Sequence, residues 1–514
     1  MTPPEAARPA PAEPQLRLHT ARGRWVIAAS VLGAGIVFID GTVVNVALPA
    51  IGQTFHSSLA TLQWTVTAYT LTLASFILIG GSIGDHYGRR RSFVVGVLWF
   101  AAASLACGLA PDPAVLIAAR ALQGVGAALL TPESLAILQA TFRPEDRAQA
   151  IGTWSGLSGV GAAIGPFIGG YLIQAVSWRL IFLINLPLVV AVVWIAERHV
   201  PETSDPTSVG RLDIAGAGLA TLSLGTLIYG LIRGSDVGWT QTGVVLSLVV
   251  ALVAGFVFVM VEQRVAHPML PLGIFRSRQF TGANMVTFLV YGALGGALFL
   301  LPIQLQQVLG YSPLEAGTAL LPVTVVMLAL SSQAGKLSQR IGPRLPMTIG
   351  PIVAGIGLAA LALVQAGTTY FATFLPAILV FSLGLATTVS PLTATVLGAA
   401  PAEHAGLASA VNNAVARAAG LIAVAVLPAA AGLTASSYLQ PAVFGSGFRT
   451  AMLLAGAACA LGGVLSAITI RREPASARAV AESSRFSCPV DAPPWCGAED
   501  GEPVAAGRQG RPAA

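Results

Sequence analysis

Charged residues are scarce in this sequence. They make up 10% of its 514 residues, against 55% hydrophobic, where a soluble domain carries about 25% charged residues. That deficit excludes an ordinary water-soluble domain. Lysine is nearly missing: Lys336 is the single one among twenty-eight basic residues. The net charge of +6 does not make a nucleic-acid face, because the basic residues stand at the ends of apolar segments. Cysteine is sparse as well. Cys107 and Cys459 lie in apolar segments, where a small buried thiol is the default, and Cys488 and Cys496 lie in a polar tail at a spacing that matches no zinc pattern. There is no G-x-x-x-x-G-K-[ST] loop, so nucleotide hydrolysis is not the direct source of energy. No metal-ligand set or nucleophile–base cluster is visible either. The sequence predicts neither an enzyme nor a cofactor nor a bound metal.

What fills the chain is a succession of apolar runs. A membrane span needs about 20 apolar residues, and fourteen segments meet that length, beginning near Trp25, Ala60, Ser92, Pro113, Ala148, Trp178, Ile214, Thr240, Phe280, Pro313, Leu345, Phe371, Glu403 and Gly447. The expected class is an all-α integral membrane protein with 14 transmembrane helices. With the N-terminus in the cytosol, twenty basic residues near span ends fall on the cytosolic side and three (Arg179, Arg233 and Arg449) fall outside. That bias supports the count of spans and places both termini in the cytosol.

The loop after the second span reads GSIGDHYGRR (81–90), and the loop after the tenth reads GKLSQRIGPR (335–344). Gly81, Gly88 and Arg90 match Gly335, Gly342 and Arg344, while Gln339 replaces Asp85. Such a repeat is the trace of two bundles related by an axis along the membrane normal. The expected division is a cytosolic tail at 1–24, a six-helix bundle at 25–197, a linker with an inserted helix pair at 198–279, a second six-helix bundle at 280–470, and a disordered cytosolic tail at 471–514.

Ionisable groups inside a membrane are expensive, and each is a functional candidate. Asp40 lies about 24 Å along the first span from Arg24, at 1.5 Å per residue. A carboxyl at that depth is placed to bind and release a proton; its plainer role is to bond Thr42, Asn45 or a neighbouring helix. Arg120 in the fourth span needs a partner there, and Gln123, three residues on, shares its face. Glu133 follows Pro132 nearer the cytosolic end, where water is expected to reach it. Asp40, Arg120 and Glu133 are the candidates for proton coupling. In the loop after the second span, Asp85 can accept from backbone N–H groups or arginine, and Gly81 and Gly88 permit close approach and turning. Gly81, Asp85, Gly88, Arg89 and Arg90 are therefore expected to form a conformational latch. Polar residues in apolar surroundings supply candidate cavity groups: Asn45, Gln123, Asn284, Gln304, Gln306, Gln307, Asn412, Asn413 and Arg417.

These segments together resemble the fourteen-helix drug:proton antiporter branch of the major facilitator superfamily. The resemblance lies in GSIGDHYGRRR, in IDGTVVNVALP (39–49), in RALQGVGAA (120–128), in WRLIFLINLP (178–187) and in GYSPLEAG (310–317). The fifth span completes it. Seven glycines and Pro166 fall between Gly152 and Gly170, although glycine costs about 1 kcal/mol in a helix and proline about 3. Gly152, Gly161, Gly165, Pro166, Gly169 and Gly170 fill the antiporter pattern G-x8-G-x3-G-P-x2-G-G. The expected reason is a seam in which the glycines press this helix against one of the other bundle. The resemblance covers about residues 25–470. It implies proton-coupled export of a drug, antibiotic or other amphipathic molecule across the cytoplasmic membrane by a monomer. Its partners would be that small molecule, protons and the lipid bilayer, with no nucleic acid. The last six spans hold no carboxylate beyond Glu315 and Glu403 at helix ends, which suits a neutral or anionic substrate at least as well as a cation. Proton-coupled import, and a transporter-like receptor, are the rival readings.

Overall fold

A backbone surrounded by lipid must satisfy its own hydrogen bonds, and helices do so within one segment. The computed structural model describes residues 16–204, 213–265, 268, 270, 272–399, 405–434, 437 and 440–471. The outer parts of the two expected tails, the middle of the linker (205–212), Cys488, Cys496 and Glu403 lie outside the described residues. The first half runs α1 (Ala21–Phe55), α2 (Leu59–Tyr87), α3 (Arg89–Gly108), α4 (Pro113–Thr141), α5 (Pro144–Ala175), α6 (Leu180–Leu183) and α7 (Asn185–His199). Next come α8 (Ile214–Val237) and α9 (Thr242–Arg264). The second half runs α10 (Arg278–Ile303), α11 (Pro313–Ala319), α12 (Leu321–Ile341), α13 (Arg344–Leu361), α14 (Leu375–Gly398), α15 (Ala405–Ala430) and α16 (Pro441–Thr469). Among the described residues, 13 helices are long and apolar enough to cross a membrane, or 14 when α2, bent by 49° between Ile77 and Ile79, counts as one span. The pairs α6/α7 and α11/α12 each make a single span. Each of the fourteen expected spans has its helix.

Local chemistry sets the ends. Ser58, Asp112 and Ser312 accept from backbone N–H groups at the starts of α2, α4 and α11. Glu315 closes a capping box with Ser312, donated to by the Ser312 backbone at 2.8 Å. This accounts for one of the two carboxylates noted near the later spans.

The two halves repeat their helix pairings. α1 packs on α5 as α10 packs on α15, α2 on α4 as α12 on α14, and α3 on α7 as α13 on α16. The matched loops agree in backbone: Gly88 and Gly342 have φ of 106° and 85°, a region where only glycine is at ease. α8 and α9 pack on each other, and α8 rests on α2 and α15, at the junction of the halves. Because the number of spans is even, α1 begins and α16 ends on one side, called here the terminal face; the opposite side is the far face.

Candidate functional site

A fully buried ion pair joins α1 and α4. Asp40 is 0% exposed and Arg120 is 1% exposed. Arg120 Nη1 donates to Asp40 Oδ2 at 2.5 Å and to Gln123 Oε1 at 2.6 Å. Gln123 Nε2 donates to Asp40 Oδ1 and to Ser104 Oγ, both at 2.8 Å. Asn185 Nδ2 approaches the same two acceptors at 3.4 and 3.3 Å. Arg120 Nε donates to the Thr65 carbonyl at 3.1 Å, and the guanidinium lies 4.2 Å from the Tyr69 ring centre. A buried charge is tolerable only when its remaining donors and acceptors are also met, and here five helices (α1, α2, α3, α4 and α7) contribute to meeting them.

Next to this network, but separate from it, is a cavity of about 770 Å³ between the halves. Thr42, Asn45 and Val46 of α1 line it, with Ser155, Gly159 and Pro166 of α5. The opposite wall is Leu298 of α10, the α12 stretch with Thr324, Met327, Ser331 and Ser332, and Ser390 of α14. Its polar groups are hydroxyls and one amide, and no ionisable side chain is among its lining residues. Ligand pockets commonly have this character, apolar with a few polar groups. α1 thus carries Asp40 into its own bundle and Thr42 and Asn45 into the cavity.

The halves meet in the half of the molecule toward the far face. Gln63 Nε2, near the start of α2, donates to the Val424 carbonyl of α15 at 2.7 Å, and Gln306 Nε2 donates to the Val46 carbonyl of α1 at 2.9 Å. From there the cavity extends along α5 and α12 toward the terminal face.

Most of the amides expected in the cavity lie elsewhere. Gln123 belongs to the Asp40 network. Asn412 Nδ2 donates to Asn284 Oδ1 at 3.2 Å and to Thr287 Oγ1 at 2.7 Å, joining α15 to α10. Gln304 is buried and donates to the Val364 carbonyl at 2.8 Å. Asn413 is exposed and donates to Ser409 on its own helix at 3.1 Å. Gln307 is half-buried and lines no described cavity. Long amides in a membrane seek helix-to-helix hydrogen bonds, and that need outcompetes display to an open cavity. Asn45 lines the main cavity, and Arg417 a smaller one beside it.

Glu133 is corrected in a different way. It is 0% exposed, not water-reached. Its carboxyl fills the space that a side chain at Gly84 would need, and neither oxygen has a partner among the described residues. Close by, Arg89 Nε and Nη2 grip Asp85 Oδ1 at 2.9 and 2.6 Å. The start of the linker also docks here. Glu202 accepts from the backbone N–H groups of Arg90 and Arg91 at 3.0 and 3.3 Å and lies 3.6 Å from Arg90 Nε. A carboxylate on the first N–H groups of α3 suits the helix dipole. Gly88 leaves room for it.

A family model described as the Major Facilitator Superfamily matches residues 30–425. The chain belongs to that superfamily. Among its curated relatives, the multidrug resistance protein Stp of Mycobacterium tuberculosis is 35% identical over 81% of this chain and 77% of that protein. The tetracenomycin C resistance and export protein of Streptomyces glaucescens is 34% identical over 79% and 76%. The puromycin resistance protein pur8 of Streptomyces alboniger is 35% identical over 81% and 83%. A solved peptide transporter covers 89% of this chain and 98% of its own, with a TM-score of 0.64 at 14% identity. A bacterial homologue of the lysosomal transporter Spinster, solved inward-facing and unoccupied, has a TM-score of 0.62 at 18% identity. These two likenesses show the fold.

Within this superfamily chain, the glycine-rich α5 does two jobs instead of the one expected. Gly161, Gly165 and Gly169 face Gly35, Ile39, Thr42 and Val43 of α1, in the same half. Thr42 Oγ1 donates to the Ala162 carbonyl at 3.1 Å across that contact. Toward the far face it reaches the other half: Gly170 abuts Pro313 and Leu314 of α11, and the Pro166 carbonyl abuts Gly317. Gly152 touches nothing that a Cβ would meet. The residues missed by sequence reasoning are Ser104, Asn185, Tyr69 and Glu202, together with the cavity hydroxyls. Asn185 carried a signal, being an amide inside the apolar run LIFLINLP. The hydroxyls carried none, because serine and threonine are scattered through all the apolar spans.

Proposed function

We propose that the chain exports an amphipathic drug or antibiotic across the cytoplasmic membrane in exchange for protons, as a monomer in the lipid bilayer with both termini in the cytosol. The observation that carries this reading is the fully buried Asp40–Arg120 pair set directly behind an uncharged cavity between two repeated bundles. The relatives named as resistance and export proteins support the direction of transport.

In this reading the terminal face is cytosolic and the cavity is open toward it, closed outside by α5 against α11 and by the Gln63 and Gln306 bridges. The substrate enters from the cytosol. The bundles, residues 25–197 and 280–470, rock about the cavity to expose it outside. A proton from outside then binds Asp40. Neutralising the carboxyl releases the Arg120 and Gln123 donors that hold it, and α1 becomes free to shift against α4. Because α1 also forms a wall of the cavity, that shift favours substrate release. The proton leaves toward the cytosol, with Glu133, on α4 like Arg120, as a second acceptor. The Asp85–Arg89 pair, docked with Glu202, latches the cytosolic ends of α2 and α3 to the linker.

The test is drug accumulation in a pump-deficient bacterial host, over a panel of antibiotics and fluorescent compounds, with and without a protonophore. Wild type is expected to lower accumulation, and both the protonophore and Asp40→Asn are expected to abolish that effect at equal expression. Undiminished export by Asp40→Asn would falsify the assignment of the proton site. A protonophore that lowers accumulation instead of raising it would indicate import.

A further inference from the structure

A second cavity, of about 220 Å³, lies between α1 and α2 of one half and α10 and α15 of the other. Asn45 and Leu298 line both cavities, so the two adjoin. Arg417 lines the smaller one. It stands in the middle of α15 (Ala405–Ala430), about 18 Å along the helix from Ala405. Its guanidinium makes no ion pair or hydrogen bond with any described residue, and its Nε is buried without a partner.

A cation at mid-depth with no counter-charge is costly, and such groups are found paired or lining a pathway. Of the two buried carboxylates of the first bundle, Asp40 is already held by Arg120, Gln123 and Asn185, and Glu133 lies against Gly84, away from this cavity. No carboxylate lines either cavity. Around Arg417 the hydroxyls of Thr67 and Thr70 are engaged by their own helix, at 2.7 and 3.2 Å. Asn45 has a buried Oδ1 with no partner, and Tyr291 shares the wall. The partner that Arg417 lacks is an anion, and space for one is present at the edge of the larger cavity.

We propose that this side pocket is the anion-binding subsite of the transport cavity, and that the substrate is an amphipathic organic acid whose carboxylate or phenolate binds Arg417. The inference rests on the export reading of the main cavity. A planar guanidinium gives a carboxylate two parallel hydrogen bonds, while the apolar body of the molecule occupies the larger space. A cationic body meets Arg417 as a like charge and finds no acid in the wall to offset it, so the same arrangement rejects cations. Export of an anion against entry of a proton carries two elementary charges per cycle, which ties transport to the membrane potential.

The experiment uses the full-length protein in lipid nanodiscs at neutral pH and low salt. Three probes share one apolar body: 1-pyrenebutyrate, 1-pyrenebutanol and 1-pyrenebutylamine. Fluorescence anisotropy is expected to show the acid binding about tenfold tighter than the amine. Arg417→Gln is expected to bring the acid to the affinity of the alcohol while leaving the alcohol unchanged. Arg417→Lys should keep part of the acid preference. Equal or tighter binding of the amine, no binding of the acid, or an acid-to-alcohol ratio unmoved by Arg417→Gln would each overturn the proposal. Should Arg417→Gln fail to fold, the acid-to-amine ratio of the wild type still decides. Proteoliposome flux separates the two readings. Proton-driven movement of the alcohol without acid preference sinks the subsite alone, whereas a preference in binding with no proton-driven flux of any probe sinks the export reading.

Discussion

The two halves share a fold and differ in what they bury. In the first, α1 and α4 hold Asp40 and Arg120 in a network that reaches Gln123, Ser104 and Asn185. In the second, the polar contact of α10 with α15 is Asn284, Thr287 and Asn412, all neutral. The matched loops differ in the same sense: Asp85 accepts from Arg89, while Gln339 stands at the matching place. A repeat that keeps its helix pairings while losing its acids shows that packing and charge are separable. The first half holds the buried ion pair, and the second supplies a wall and, at mid-span, Arg417 with no ion pair among the described residues.

The comparison is broken hardest at Arg120. Arg120→Leu leaves Asp40 buried without its counter-charge, a loss of about 3–5 kcal/mol, so folded yield in the membrane should fall sharply. The double variant Asp40→Asn with Arg120→Gln should recover the yield without recovering export, which size-exclusion profiles and the accumulation assay would show together. A variant pair that regains export would place the proton site elsewhere.

The glycine helix offers a sharper cut, because its two contacts serve different ends. Gly165→Leu meets Thr42 and the Ile39 backbone inside one bundle and should lower thermal stability along with export. Gly170→Leu meets Pro313 and Leu314 across the halves and should lower export at least about tenfold, some 1.4 kcal/mol, with less change in melting temperature. Equal losses of stability at both positions would erase the distinction.

Smaller effects follow where Glu133 packs on Gly84. Glu133→Gln keeps the shape of a buried acid but cannot release a proton. It should leave expression unchanged and slow proton-driven export in liposomes by a few-fold, about 1 kcal/mol in rate. Gly84→Ala displaces the same carboxyl and should slow export similarly; a full rate in both would remove Glu133 from the cycle. The smallest change belongs to the neutral cluster. Asn412→Ala removes hydrogen bonds worth about 0.6 kcal/mol each in a membrane protein, which a thermal-shift series would register while export stays near wild type.

How much of this was legible in the sequence depends on the length scale of the signal. Fourteen spans and the paired loops follow from apolar runs and matched glycines, which are local patterns. The Arg120–Gln123 contact follows from helical spacing, and the depth of Asp40 from counting residues. The convergence of Asn185 on Asp40 and Ser104 required three helices to meet, and no local pattern encodes that. The cavity wall was misread for a chemical reason. Asn284, Gln304 and Asn412 stood out because they are polar in apolar runs, but that property draws them into bonds between helices. Ser331, Ser332, Thr324 and Ser390 form the wall with side chains too ordinary to notice.

α1 keeps Asp40 on one face and Thr42 and Asn45 on another, so in the proposed cycle the energy source and the cargo share a rigid rod but no common surface. Substitutions along α12 at the cavity can therefore reshape what is carried without touching how the work is driven. A population under a new antibiotic has a short mutational route available: the selectivity of the pump can drift one hydroxyl at a time while its engine is inherited intact.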